Sequence, residues 1–220
     1  MSKLELSRPV LIGFYGYPGS GKSYLARNLS EGMGLAHVSA DRIRNELFEQ
    51  PRFDEQENAI VDHLMRYMSE EFLNAGIGVV YDASLSRHSQ RKALKELAGR
   101  KKAESYIVWL QIDEEAAFER TQNRDRRTPD NKFAKPQTRA SFDEQVGLMQ
   151  NPSAEESLVV SGKHTFTTQK SAIVSRLFQD GLVASDVARN HMAKPGMVNL
   201  VPNTNSGRVD YTRRNINIAQ

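Results

Sequence analysis

The chain has 220 residues, 39% hydrophobic and 26% charged, with a formal net charge of +3. That is long enough for one domain with a sizeable core plus additions, and the composition is ordinary for a globular protein. The absence of cysteine excludes disulfides, thiolate catalysis and cysteine-ligated metal and fits a cytoplasmic location, while no run approaches the roughly 18 apolar residues of a membrane span.

Residues 1–7 carry charges where a signal peptide needs an apolar segment. Residues 9–15, PVLIGFY, are a short apolar run expected to form a buried parallel strand. The run stops at GYPGSGKS, residues 16–23, which fits G-x-x-x-x-G-K-[ST] without a mismatch. This is the pattern of a phosphate cradle. Its glycines let the backbone turn tightly and aim successive N–H groups into one concavity, at the positive end of the helix that follows. The expected nucleotide-binding residues are Gly16, Pro18, Gly19, Ser20, Gly21, Lys22, Ser23 and the adjoining Tyr24. Lys22 is expected to reach the β- and γ-phosphates of ATP, and Ser23 to offer its hydroxyl to Mg²⁺, a hard cation that prefers oxygen. Leu25, Ala26, Leu29 and Met33 then recur at helical spacing, and Gly32 and Gly34 mark the helix end.

Residues 35–38 read as a second strand, followed by a helical pattern over 39–49 with Ile43 and Leu47 four apart. Asp41 and Arg44 fall on one face of that helix, just past a strand end where open parallel sheets bind ligands. Residues 54–75 predict a long amphipathic helix with Ile60, Val61, Leu64, Met65, Met68, Phe72 and Leu73 inward, stopped by Gly76. Residues 77–82 read as a third strand that delivers Asp82 at its C-terminal end. There the carboxylate is either a metal-facing acid or simply the cap of the next helix. That helix, 87–98, predicts Leu94 and Leu97 inward and Arg87, His88, Arg91, Lys92 and Lys95 outward.

A fourth strand, 105–112, holds the one tryptophan, Trp109, read as core. Asp113, Glu114 and Glu115 suit a helix N-terminus, with Phe118 packing that helix on the sheet. From 120 to 139 the chain turns basic and is broken by Pro129 and Pro136. This is the composition expected of a lid that closes guanidinium groups over a phosphate. A capping box at 141–144 starts the next helix, 157–161 supplies a fifth strand, and 168–180 closes the domain with Ile173, Val174, Leu177 and Phe178 inward. The alternation predicts an α/β fold: a five-stranded parallel sheet with helices on both faces. The expected organisation is one domain over 8–184, with the lid at about 120–139, and a flexible or peripherally docked tail over 185–220.

With GYPGSGKS at 16–23, DRIR at 41–44, VVYDAS at 79–84 and ERTQNRDRR at 119–127, the chain resembles small P-loop kinases. It is most similar to the kinase domain of polynucleotide kinases and to zeta-toxin-like phosphotransferases, over about residues 10–182. The resemblance implies ATP and Mg²⁺ as cofactors, Asp41 as general base for the acceptor hydroxyl, Arg44 on the acceptor side, Lys22 at the phosphates, and lid arginines matching Arg120, Arg124 and Arg127. Ser23 and Asp82 would face the metal. The His-Pro sequence that follows D-x-x-R in zeta toxins is missing here. The expected activity is phosphoryl transfer from ATP to a hydroxyl of a polynucleotide 5′ end, a nucleoside or another small alcohol, with no membrane partner. The competing expectation is a nucleotide-driven switch or ATPase that binds a partner through the tail.

Overall fold

A computed structural model describes residues 5–125, 127, 132–134, 137–184 and 188. The strands are β1 (Val10–Tyr15), β2 (Ala36–Ser39), β3 (Val79–Ser84), β4 (Glu104–Gln111) and β5 (Ser157–Ser161). The helices are α1 (Lys22–Met33), α2 (Ala40–Leu47), α3 (Glu55–Asn74), α4 (His88–Arg100), α5 (Glu114–Gln122), α6 (Arg139–Gly147) and α7 (Phe166–Gln179). Every strand pairing is parallel, and the sheet order is β2-β3-β1-β4-β5. The connection leaving β1 runs to one edge of the sheet and the one leaving β4 to the other, so the C-terminal ends of β1 and β4 flank a topological switch point, where open α/β sheets bind ligands.

The apolar run of β1 is wholly buried because helices cover both faces of the sheet. Ile12, Phe14, Val80, Val108 and Leu110 point towards α1 and α7, where they meet Leu25, Leu29, Ile173, Val174 and Leu177. Leu11, Tyr15, Val79, Tyr81 and Ile107 point the other way, towards Val61, Met65 and Leu73 of α3 and Leu94 and Leu97 of α4. Ala188 is buried in the first of these cores; the rest of 185–220 lies outside the described residues. Among the described residues no helix is long and apolar enough to cross a membrane.

Several sequence expectations shift. Ile60 and Phe178 are exposed at 40% and 42% instead of facing inward, because α3 and α7 bury an apolar stripe without them. The capping box forms one turn earlier than expected: Thr138 caps α6 and exchanges hydrogen bonds with Ser141. Phe118 packs edge-on against Phe142 of α6, with ring centroids 5.3 Å apart, while Ala117 and Thr121 form the buried face of α5.

The largest correction concerns Arg91, expected on a solvated basic face and found 2% exposed. Its Nε donates to Glu156 Oε1 at 2.8 Å, its Nη1 donates to the Leu85 carbonyl at 3.1 Å, and its guanidinium lies 5.3 Å from the Tyr15 ring centroid. Arg91 lies three residues before Leu94 and shares its buried face, and the partner that makes burial tolerable sits 65 residues away. Burial pushes the Glu156 carboxyl up; the bond to Arg91, the Arg91 charge and the Ser153 N–H outweigh this and hold it below its ordinary 4.5. The unfolded chain therefore binds the proton more readily than the fold does, so the pair stabilises fully above about pH 4.5 and fades as pH falls below it. Glu156→Gln should lower stability by about 2–4 kcal/mol near neutrality, discounted from the fully buried case because Glu156 is partly exposed. The gap from wild type should narrow in acid, as read by urea titrations at pH 7 and pH 3.5.

Candidate functional site

The loop between β1 and α1 is held by backbone contacts that leave no room for side chains. A Cβ on Gly16 (φ 145°) would meet the Leu110 carbonyl oxygen at 2.5 Å, and one on Gly19 (φ 84°) would meet the Ala117 carbonyl oxygen at 2.1 Å. The loop is thus wedged between the end of β4 and helix α5. Gly21, also left-handed, stands at the N-cap of α1, so the first N–H groups of that helix open towards the loop. Ser20 is 1% exposed and its Oγ has no partner among the described residues. Pro18 is half-buried, whereas Tyr24 is 48% exposed, its carbonyl accepting from Asn28 Nδ2.

Lys22 Nζ donates to the carbonyls of Gly16 and Tyr17, both at 2.7 Å, which arches the ammonium across the loop. Burial pushes its pKa down to about 8, opposed by the charges of Asp82 and Asp41 and reinforced by Arg124.

Ser23 Oγ donates to Asp82 Oδ1 at 3.1 Å, and His37 Nε2 lies 3.1 Å from Asp82 Oδ2. Both carboxylate oxygens are therefore engaged. Asp82 does not cap the next helix, whose N-cap is Arg87, and that alternative falls. His37, from β2, was missed by the sequence reading. The available signal was a titratable group inside a short apolar strand of a parallel sheet, where a buried run is expected. Among the described residues no group of three or more His, Cys, Asp or Glu is arranged to hold a metal. Ser23 and Asp82 still suit Mg²⁺, which is usually bound through one or two carboxylates, phosphate oxygens and its own waters.

Asp41 is the second residue of α2, whose N-cap is Ser39. Burial raises its carboxyl, the Asp82 charge raises it further, and Arg44, Arg124 and Lys22 oppose both. Four elements of the chain thus converge: Lys22 from α1, Asp41 from α2, Asp82 from β3 and Arg124 from the segment after α5.

Arg44 takes a different part. It is 6% exposed. Its Nη1 donates to Glu57 Oε2 at 3.1 Å, its Nη2 donates to Asn58 Oδ1 at 2.6 Å, and Phe53 lies 4.7 Å from the guanidinium. Phe53 has φ 60°, a strained value for a bulky residue. Its N–H and that of Arg52 donate to the same Glu57 carboxylate. Burial pushes Glu57 up, but these N–H bonds and the two guanidinium groups outweigh it and hold the carboxyl low. The guanidinium of Arg44 is thus committed to the start of α3.

Of the other lid arginines, Arg120 donates to the Gly162 carbonyl at 3.0 Å, Arg127 is exposed and paired with Asp125, and Arg139 is held by Glu115 and Asp143. Residues 126, 128–131 and 135–136 of the expected lid lie outside the described residues.

A family model described as AAA domain matches residues 11–152. No curated protein sequence matches the chain. Among solved structures, it is similar to a sugar kinase from Janibacter sp. HTCC2649, with TM-score 0.55 and 14% identity over 84% of this chain and 99% of that one. It is also similar to Chaetomium thermophilum Kti12 in complex with ADP-AlF3, with TM-score 0.60 and 15% identity over 79% of this chain and 100% of that one. A third likeness is to the Pnkp1/Rnl/Hen1 RNA repair complex, with TM-score 0.55 and 18% identity over 67% of this chain and 45% of that one. At such identities the likeness concerns the fold, which is that of P-loop kinases.

Because the nearest atom to a Cβ on Gly19 is the Ala117 carbonyl oxygen of the α5 backbone, with the Thr121 methyl beside it, the site makes a sharp prediction. Gly19→Ala should force α5 away from the loop, lowering stability by about 2 kcal/mol or more from strain and clash and weakening ADP binding severely. Thermal unfolding with and without ADP checks both.

Proposed function

We infer that this chain, which belongs to the AAA domain family, is an ATP-dependent kinase that moves the γ-phosphoryl group of ATP to a hydroxyl acceptor. What carries the reading is Asp41. A P-loop alone needs only a nucleotide, but Asp41 comes from a separate element, its carboxyl is raised by burial and by Asp82, and it feels the charge of Lys22. A general base is most effective when its pKa approaches the working pH, and burial moves Asp41 in that direction.

Each residue then has a role that its surroundings allow. The backbone N–H groups of the loop from Gly16 to Ser23, Pro18 excepted because proline has none, and the Lys22 ammonium would bind the polyphosphate, because a desolvated charge opposite phosphate is strengthened by the low local dielectric. Lys22 would exchange its carbonyl partners for phosphate oxygens. Ser23 and Asp82 would hold Mg²⁺, and His37 would fix the orientation of Asp82. Magnesium, when bound, would neutralise charge on the transferring group. Asp41 would accept the hydroxyl proton of the acceptor and orient its oxygen, and Arg124, whose charge reaches both Lys22 and Asp41, would add positive charge. Since Arg44 is committed to Glu57 and Asn58, we assign it to positioning α2, and through it Asp41, more than to gripping the acceptor. Arg120 and Arg127 would join the nucleotide only on closure of the segment that carries them.

The test is label transfer from γ-labelled ATP across a panel of 5′-hydroxyl oligonucleotides, nucleosides and sugar alcohols. Labelled acceptor supports the kinase, whereas hydrolysis without any labelled acceptor would favour the ATPase reading. Asp41 does not cap its helix, so Asp41→Asn should preserve stability and ATP affinity while transfer falls about 10²–10⁴-fold. Lys22→Ala should instead weaken ATP binding, by roughly 2–4 kcal/mol. Full transfer by Asp41→Asn would remove the assigned base.

A further inference from the structure

One buried side chain of the phosphate loop has no part in the roles above. Ser20 is 1% exposed, and its Oγ makes no hydrogen bond among the described residues. A buried donor left unpaired costs the fold the desolvation of that group, and native interiors rarely keep one. Alanine here would supply the same backbone N–H to a phosphate without that cost. The hydroxyl therefore needs an explanation of its own.

Its surroundings are fixed by backbone. A Cβ built on Gly16 would meet Ser20 Oγ at 2.9 Å and the Leu110 carbonyl oxygen at 2.5 Å, so the hydroxyl lies against the Gly16 α-carbon, next to the Gly16 carbonyl group. The Ser20 main chain is held on both sides. Its N–H donates to the Tyr17 carbonyl at 3.0 Å, and its own carbonyl oxygen packs against Gly162 of the loop after β5, where a Cβ would meet it at 2.9 Å. What stays adjustable is the side-chain torsion, which moves Oγ between staggered positions.

The carbonyls within this corner are not equivalent. That of Leu110 borders the hydroxyl, yet Ser20 does not bond it. The carbonyls of Gly16 and Tyr17 both accept from Lys22 Nζ. Tyr17 has a second donor in the Ser20 N–H, whereas Lys22 is the one partner of the Gly16 carbonyl among the described residues. When Lys22 turns to phosphate oxygens, Tyr17 keeps a hydrogen bond and Gly16 loses its own.

We propose that Ser20 is a positioning residue for the loaded loop: its hydroxyl donates to the Gly16 carbonyl once Lys22 has left that carbonyl for phosphate. The Gly16 peptide then keeps its direction, and with it the concavity of N–H groups that faces the phosphates. While Lys22 holds the carbonyl, the unpaired hydroxyl raises the energy of the fold. Pairing it on nucleotide binding adds to affinity, because only the bound state gains the bond. The proposal rests on the nucleotide-binding part of the reading above and is independent of the acceptor.

The test compares four forms of the full chain: wild type, Ser20→Ala, Lys22→Ala and the double variant. With Lys22 on the Gly16 carbonyl, Ser20→Ala removes an unpaired hydroxyl, so without nucleotide the thermal midpoint should hold or rise by a few degrees. In the Lys22→Ala background the carbonyl is already released and Ser20 takes it, so the same substitution should lower the midpoint. A merely structural serine would not change the sign of its effect with Lys22. Equal shifts in the two backgrounds would overturn the proposal. A lower midpoint for Ser20→Ala alone would overturn it too, since the hydroxyl would then be bonded while Lys22 is in place. Calorimetric titration with ADP supplies the second readout: Ser20→Ala should weaken binding about tenfold, although the variant is no less stable. Unchanged ADP affinity would remove the hydroxyl from the loaded loop. Failure of the nucleotide reading looks different: wild type itself would bind no ADP, and the midpoints of the four forms would still decide whether Ser20 takes over the Gly16 carbonyl.

Discussion

Everything at this site depends on a contact between backbones. Gly16 lies against the Leu110 carbonyl and Gly19 against the Ala117 carbonyl, both closer than any β-carbon permits. These two approaches fasten one loop to the end of β4 and to α5. A loop fixed at both points holds its N–H groups in place before any phosphate arrives, which is the condition for electrostatic stabilisation without reorganisation. The same approaches set the height of α5, and with it the start of the arginine-bearing segment that follows.

The second constraint is charge. Burial drives Lys22 towards neutrality and Asp41 towards protonation, so each would lose its chemical use if left alone. They are not alone. Asp82 and Asp41 support the charge on Lys22, while Lys22, Arg44 and Arg124 oppose the burial of Asp41. Asp82, tied through one oxygen to Ser23 and through the other to His37, is the carboxylate whose charge acts on both. The cluster therefore has to be read as a unit. Removing any one charge changes the proton affinity of the others before it changes a contact with substrate.

The strands and the phosphate loop were legible in the sequence because both are local signals. An apolar run bounded by glycines and a fixed eight-residue pattern need no distant partner to be recognised; β5 was placed residue for residue. Asp41, just past β2, and Asp82, near the C-terminal end of β3, were also within reach. What escaped were side chains whose environment is decided by residues far along the chain. Arg91 looked like surface because Glu156 could not be placed beside it. His37 stood out only as a titratable group in a short apolar strand, and its role is visible only with Asp82 opposite. Phe178 and Ile60 satisfied helical periodicity yet lie outside, since a hydrophobic stripe says which residues could face the core but not how wide the core is.

The two buried arginines show the difference between position and function most clearly. Arg44 and Arg91 each read as outward or substrate-facing from sequence, and each is instead bound to a glutamate and placed against an aromatic ring. Neither pair lends itself to the common argument that ion pairs stabilise, because desolvating two charges offsets much of their attraction. Their shared property is geometric. A guanidinium has donors in a fixed planar fork, so engaging several at once fixes orientation as well as distance. Arg44 thereby sets α2, which carries Asp41, against the start of α3, and the strained Phe53 backbone is held by the carboxylate that Arg44 binds. Arg91 sets α4 against Tyr15 and, through Glu156, against the approach to β5. One fork orders the side of the sheet that carries Asp41, and the other orders the side of β1 that carries Tyr15.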